Sequence, residues 1–101
     1  MIYYNVTVKI DHSIKEDWLK WMQEKHIPDV MKTGFFKENK ICRLLDQDES
    51  NGITYSIQYA CETLCKYETY QKECAPALQA EHTQRYEGKF VAFRTLMEKV
   101  G

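Results

Sequence analysis

Two stretches of this chain alternate between apolar and polar residues with a period of two. They limit its fold more than any other feature. In IYYNVTVKI, residues 2–10, Ile2, Tyr4, Val6, Val8 and Ile10 share one face, and Tyr3, Asn5, Thr7 and Lys9 share the other. In ITYSIQYAC, residues 53–61, Ile53, Tyr55, Ile57, Tyr59 and Cys61 oppose Thr54, Ser56, Gln58 and Ala60. Period two is the side-chain period of a strand, and one apolar face with one polar face suits a sheet covered on one side.

Elsewhere the pattern turns helical. SIKE at 13–16 fits a capping box, with Ser13 as cap and Glu16 reaching back. Ile14, Trp18, Leu19, Trp21 and Met22 then form one helical stripe. His26 returns to that stripe one turn past Met22, and Ile27 would fall on the polar side. Pro28 disfavours helical geometry at Ile27, so the regular helix is expected to end near Lys25 or His26. Pro28 then opens a short second turn through Lys32, capped by Gly34. Residues 40–46, KICRLLD, read as a strand, and Asn51-Gly52 in the following turn is a hairpin signal. Thr63 is the expected cap of a second helix with the stripe Leu64, Tyr67, Tyr70, Cys74 and Leu78. Pro76 kinks or splits that helix, and His82 rejoins its stripe beyond the break. Gly88 ends the segment, and residues 89–98 form the last strand.

The order strand, helix, strand, strand, helix, strand is the ferredoxin-like βαββαβ pattern, an α+β fold. Right-handed crossovers place both helices on one face of a four-stranded antiparallel sheet, with the first and third strands central. A chain of 101 residues is expected to form one domain, residues 1–101. Its formal net charge is −1 with basic and acidic residues interspersed, so the clustered basic stripe of a nucleic-acid binder is missing. No apolar run approaches the roughly 20 residues of a membrane helix. The alternating N-terminus, with Lys9 in it, is unlike a signal sequence. Without secretory context, Cys42, Cys61, Cys65 and Cys74 read as free thiols of a cytoplasmic protein. Cys61 and Cys65 lack the knuckle spacing of a zinc site and no second pair follows, so no metal is expected. Trp18, Trp21, Tyr67 and Tyr70, at helical spacing, read as core.

In element order and length, nearly the whole chain resembles the dimeric α/β-barrel superfamily. Locally, WLKWMQEKHIPDVMKTGFF resembles that superfamily's first helix, where aromatics precede a His-x-Pro step and a glycine before the second strand. The nearest likeness is to a group of short bacterial proteins of about this length without an assigned function. The resemblance implies a homodimer, with the polar sheet faces of two copies packed into a barrel. It does not choose an activity. The superfamily holds cofactor-free monooxygenases, isomerases, dehalogenase-like and haem-degrading enzymes, and plain binding proteins.

Candidate site residues follow. His26, near a helix break, is a candidate acid or base, or else is bonded to a free carbonyl of its own helix. His82 is the second candidate. In haem-degrading members a helix histidine ligates haem, with an asparagine on the first strand and a helix tryptophan nearby. Asn5 and His82 match that pattern, but Trp18 and Trp21 are both on the first helix, and no cofactor is expected. Asn5, Thr7, Lys9, Ser56, Gln58, Arg43 and Arg94 form a candidate polar lining, in which Arg43 or Arg94 would pair with a ligand carboxylate. Taken singly, each reads equally well as a surface residue. Three readings stay open: a binder of a small organic ligand in a polar-lined barrel cavity, a cofactor-independent monooxygenase- or isomerase-like enzyme using His26 or His82, and a non-catalytic dimerisation module.

Overall fold

In the computed structural model, which describes residues 1–101, β1 (Ile2–Ile10) and β3 (Ile53–Cys61) run antiparallel along their whole length. Ile2 lies opposite Cys61 and Ile10 opposite Ile53, so both apolar faces fall on the same side of the sheet. β2 (Glu38–Arg43) pairs with β3, and β4 (Phe90–Glu98) pairs with β1, both antiparallel. The strand order is β2-β3-β1-β4, the ferredoxin-like arrangement, with the two alternating strands in the centre. All helices pack on the apolar side. Trp18, Ile10, Ile57, Val30 and Cys61 are fully buried there.

The first helical segment starts differently from expectation. Asp11, not Ser13, is the cap: its carboxylate accepts from the Ser13 backbone N–H and from the Ser13 hydroxyl. Ser13 donates its hydroxyl to Asp11, and a 3₁₀ turn, His12–Ile14, leads into α1 (Lys15–Trp21).

The helix does not break before Pro28. It widens into a π turn, Met22–His26, and continues as α2 (Ile27–Lys32). The Ile27 N–H reaches back five residues to the Met22 carbonyl. The physical cause lies in Pro28. In an α-helix its ring would collide with the Glu24 carbonyl, and it has no N–H to give that carbonyl. Widening the preceding turn relieves the collision. It also takes in one extra residue, which turns everything after it back by about 100° around the axis. Ile27, expected on the polar side, is therefore buried with Val30. Gly34, at φ +82°, caps the segment as expected.

β2 begins two residues earlier than expected and ends at Arg43. The apolar pair Leu44-Leu45 suggested a later strand, yet Leu45 is 78% exposed. Asn51-Gly52 closes a longer loop rather than a two-residue turn. Gly52, at φ +142°, passes so near Ile10 that a Cβ would sit 2.5 Å from its carbonyl oxygen. Thr63 caps α3 (Leu64–Glu73), its hydroxyl accepting from the Lys66 N–H at 3.1 Å. The split falls at Cys74, and Pro76 sits in the first turn of α4 (Ala75–Tyr86). Leu64, expected in the buried stripe, is exposed because it lies at the helix start beyond the sheet; Tyr70 is buried.

Candidate functional site

A cavity lies between the sheet and the helices. The floor is Tyr4, Val6 and Val8 of β1 with residues of β3 and β4; the walls come from the π turn, α2, α3 and α4. It offers about 50 Å³ to the centres of water-sized spheres and about 530 Å³ of empty space in all, its mouth included. Most lining side chains are apolar or aromatic. The polar ones are His26, Gln79, His82, Thr83 and Arg94 beside the tyrosines.

His82, on the inner face of α4, is 8% exposed. Its Nε2 accepts from Trp18 Nε1–H at 2.9 Å. An indole can only donate, so this bond fixes the tautomer: Nε2 is the acceptor and Nδ1 carries the proton. Burial pushes the His82 pKa down to about 4, and the positive charges of His26 and Arg94 act in the same direction. Phe90 meets its ring edge-on at 4.5 Å between centroids. At neutral pH His82 is thus an uncharged, held ring that offers an N–H.

His26 is the last residue of the π turn, and its ring centroid lies 5.8 Å from that of His82. It stacks on Trp21 at 5.1 Å and 30°. Five residues apart, these rings would point about 140° away from each other on an α-helix. The π turn brings them together. The His26 Nδ1 is buried and has no hydrogen-bond partner. Desolvation lowers its pKa, partly offset by Glu81 and Asp29. Both carboxylates are paired with Lys25. The expected alternative, a bond from His26 to a carbonyl of its own helix, is not formed, and its buried Nδ1 is unpartnered.

Arg94 stands on the helix side of β4, opposite Val6 of β1. Its Nε donates to the Tyr4 hydroxyl at 3.1 Å, and the residue is exposed at the cavity mouth. Burial raises the phenol pKa values of Tyr59 and Tyr70, so both stay neutral donors.

The structure therefore brings together His26, His82 and Arg94, and leaves the other sequence candidates elsewhere. Asn5, Thr7, Lys9, Ser56 and Gln58 lie on the outer face of the sheet. There Ser56 Oγ–H donates to Asn5 Oδ1 at 2.5 Å, and Asn5 Nδ2 donates to Thr7 Oγ1 at 3.0 Å. Grouping Arg94 and Arg43 with that lining is corrected by the strand parity. Arg94 pairs with Val6 and Arg43 with Tyr55, so both sit on the helix side, where Arg43 is bound to Glu49 outside the cavity. The enclosed space and the polar strand residues are on opposite sides of the sheet. Trp18 is core, as expected, but its bond to His82 was not legible because 64 residues separate the two. Gln79 could have been found, since it lies three residues before His82 on α4, and Thr83 lies four residues past Gln79. No group of three His, Cys, Asp or Glu side chains is placed to hold a metal ion.

Sheet and helices have the ferredoxin-like α+β arrangement. The chain belongs to a domain family of unknown function, DUF4286, which matches residues 1–100. Among curated protein sequences none matches it. Solved structures share its fold at low identity. An antibiotic biosynthesis monooxygenase is 10% identical, with a TM-score of 0.67 over 100% of both chains. SnoaB, a cofactor-independent oxygenase from Streptomyces nogalater, is 9% identical with a TM-score of 0.64, covering 97% of this chain and 92% of that one. A MhuD mutant with two manganese protoporphyrin IX groups bound per active site is 14% identical with a TM-score of 0.72, over 99% and 95%. At these identities the likeness is one of fold.

The residues present do not fit a haem. Asn5 and His82 lie on opposite sides of the sheet. The His82 Nε2 lone pair, which would bind iron, is held by Trp18.

Proposed function

We propose that the cavity between sheet and helices binds a small organic molecule. One observation carries this reading: hydrogen-bonding capacity is left unspent at three points around one apolar space. The points are the His26 Nδ1, the His82 Nδ1–H and the terminal nitrogens of Arg94. A few polar groups in an apolar pocket are what orients a ligand. The test is a set of one- and two-ring compounds, followed by melting temperature and by the His26 and His82 ring signals in NMR. Compounds that raise the melting temperature should shift both rings, and Ala92→Trp, which fills the cavity, should abolish the effect. Stabilising compounds that leave both rings unmoved, or that still bind Ala92→Trp, would sink the reading.

A second reading, catalysis without a cofactor, has the unpartnered His26 Nδ1 in its favour. A neutral, desolvated imidazole with a free lone pair can take a proton from a bound hydroxyl or acidic C–H. His82 is the weaker base, its lone pair being occupied by Trp18. Oxygen uptake with an electron-rich hydroxynaphthoate is the assay. Uptake no faster than in buffer, or unchanged in His26→Gln, retires catalysis and leaves binding in place.

The outer sheet face supports pairing with a second copy. Val91 and Phe93 are 67% and 64% exposed there, on a nine-residue edge strand beside the Asn5–Thr7–Ser56 network. A long edge strand with exposed apolar residues ordinarily finds a partner. Light scattering over a dilution series should give twice the chain mass, and Phe93→Asp should halve it. A monomer at micromolar concentration would refute pairing. The free thiols favour a reducing compartment, the cytoplasm. No helix is long and apolar enough to cross a membrane.

A further inference from the structure

Charge around the cavity is one-sided. Arg94 is the only formally charged side chain that lines it, and no aspartate or glutamate does. Arg94 takes part in none of the ion pairs of the protein. The carboxylates nearest His26, Glu81 and Asp29, are engaged by Lys25. The guanidinium is nonetheless held in place. Its Nε–H is bonded to the Tyr4 hydroxyl, and Tyr4 is a buried post stacked against Phe36 and Tyr59. That leaves the two terminal nitrogens without a protein partner, on a fork whose plane is set by a rigid neighbour.

Resting on the reading of this cavity as a binding site, we propose that its ligand is an organic carboxylate with a flat, unsaturated body. Arg94 pairs with the carboxylate at the mouth, and the body lies among the Tyr4, Tyr59, Tyr70 and Phe90 rings. Two parallel N–H groups match two carboxylate oxygens. A neutral guest would cover the guanidinium from water without replacing its hydration. A cationic guest would be repelled. The inner polar group of the ligand meets the His82 Nδ1–H and the unpartnered His26 Nδ1.

The test uses 2-naphthoate and its uncharged analogue 2-naphthamide, titrated by calorimetry into the wild type, Arg94→Gln and Ala92→Trp. The acid should bind the wild type roughly tenfold tighter than the amide, as a charged pair partly shielded from water gives. Raising the salt should narrow that gap. Arg94→Gln should erase the preference, weakening the acid far more than the amide. Equal binding of both compounds to the wild type, lost in Ala92→Trp, overturns the anion inference and keeps the cavity. A preference that survives Arg94→Gln overturns the role of Arg94. Tighter binding of 2-naphthyl phosphate than of the acid overturns the choice of carboxylate. If neither acid nor amide binds, the inference and the cavity reading fall together.

Discussion

Lowering the pH from 7.5 to 5 should destabilise this protein through His82. Burial holds the folded-state pKa at about 4, against 6.5 for an exposed histidine. The unfolded chain therefore takes up a proton first. Stability is complete above pH 6.5, falls as the pH drops, and levels off below about 4. Linkage with these two values gives a loss of about 2 kcal/mol at pH 5. Set against the 5–15 kcal/mol of an ordinary domain, that is substantial, and it moves a urea midpoint by about 1–2 M. His26, also lowered by burial, adds a loss of the same sign. The carboxylates of Asp11, Asp48, Glu49 and Glu62 are lowered by their own partners, and their stabilisation is lost as the pH falls through the ordinary carboxylate values of 3.8 and 4.5. A measurement stopped at pH 5 isolates the histidines. The assay is urea unfolding at one protein concentration, at pH 7.5 and pH 5, for the wild type and His82→Gln. Glutamine can still accept from Trp18 but does not titrate. The variant should lose about 2 kcal/mol less than the wild type over this interval. An equal loss in both proteins, or none in the wild type, would refute the assignment of a buried neutral His82.

Trp18→Phe removes the donor to His82 and opens space in the fully buried core, so it should cost about 2–4 kcal/mol and raise the His82 pKa, read from its NMR titration. Gly52→Ala drives a Cβ against the Ile10 carbonyl and should lower stability by about 2 kcal/mol or more in the same urea assay. His26→Leu replaces a buried nitrogen that has no partner. It should raise stability by about 1 kcal/mol while abolishing the ring shifts of His82 on ligand addition. A His26→Leu variant that is less stable than the wild type would mean that the ring is structural.

The central strands could be read from sequence because the apolar residues Ile2 to Ile10 and Ile53 to Cys61 keep one period, and a slip of one position would turn Asn5 or Gln58 toward the helices in place of Val6 or Ile57. The same parity argument misled on the edges. Arg43 and Arg94 were grouped with polar residues by chemistry, although their pairing with Tyr55 and Val6 assigns them to the helix side. Edge strands obscure this because exposure allows either face to be polar; β4 carries Val91 and Phe93 on the outside and Arg94 on the inside. His26 and His82 stood out as polar residues on apolar stripes. Their environment did not, because it depends on Trp18 reaching across to α4 and on a change of helical pitch that a constant 100° step conceals.

That change of pitch makes the site tolerant of chain length. The turn from Met22 to His26 holds one residue more than an α-helix needs. Deleting a single residue there would let the helix close into an ordinary one, still amphipathic and still able to cover the sheet. Trp21 and His26 would then be four residues apart, about 40° around an α-helix, so the two rings would stay on one face and the histidine would still reach the cavity. Two chains could therefore share this fold and present the same histidine, one with the extra residue stored in a π turn and the other without it. In any alignment of related sequences, a one-residue gap at 22–26 would be compatible with an intact site, whereas a substitution of the histidine would not.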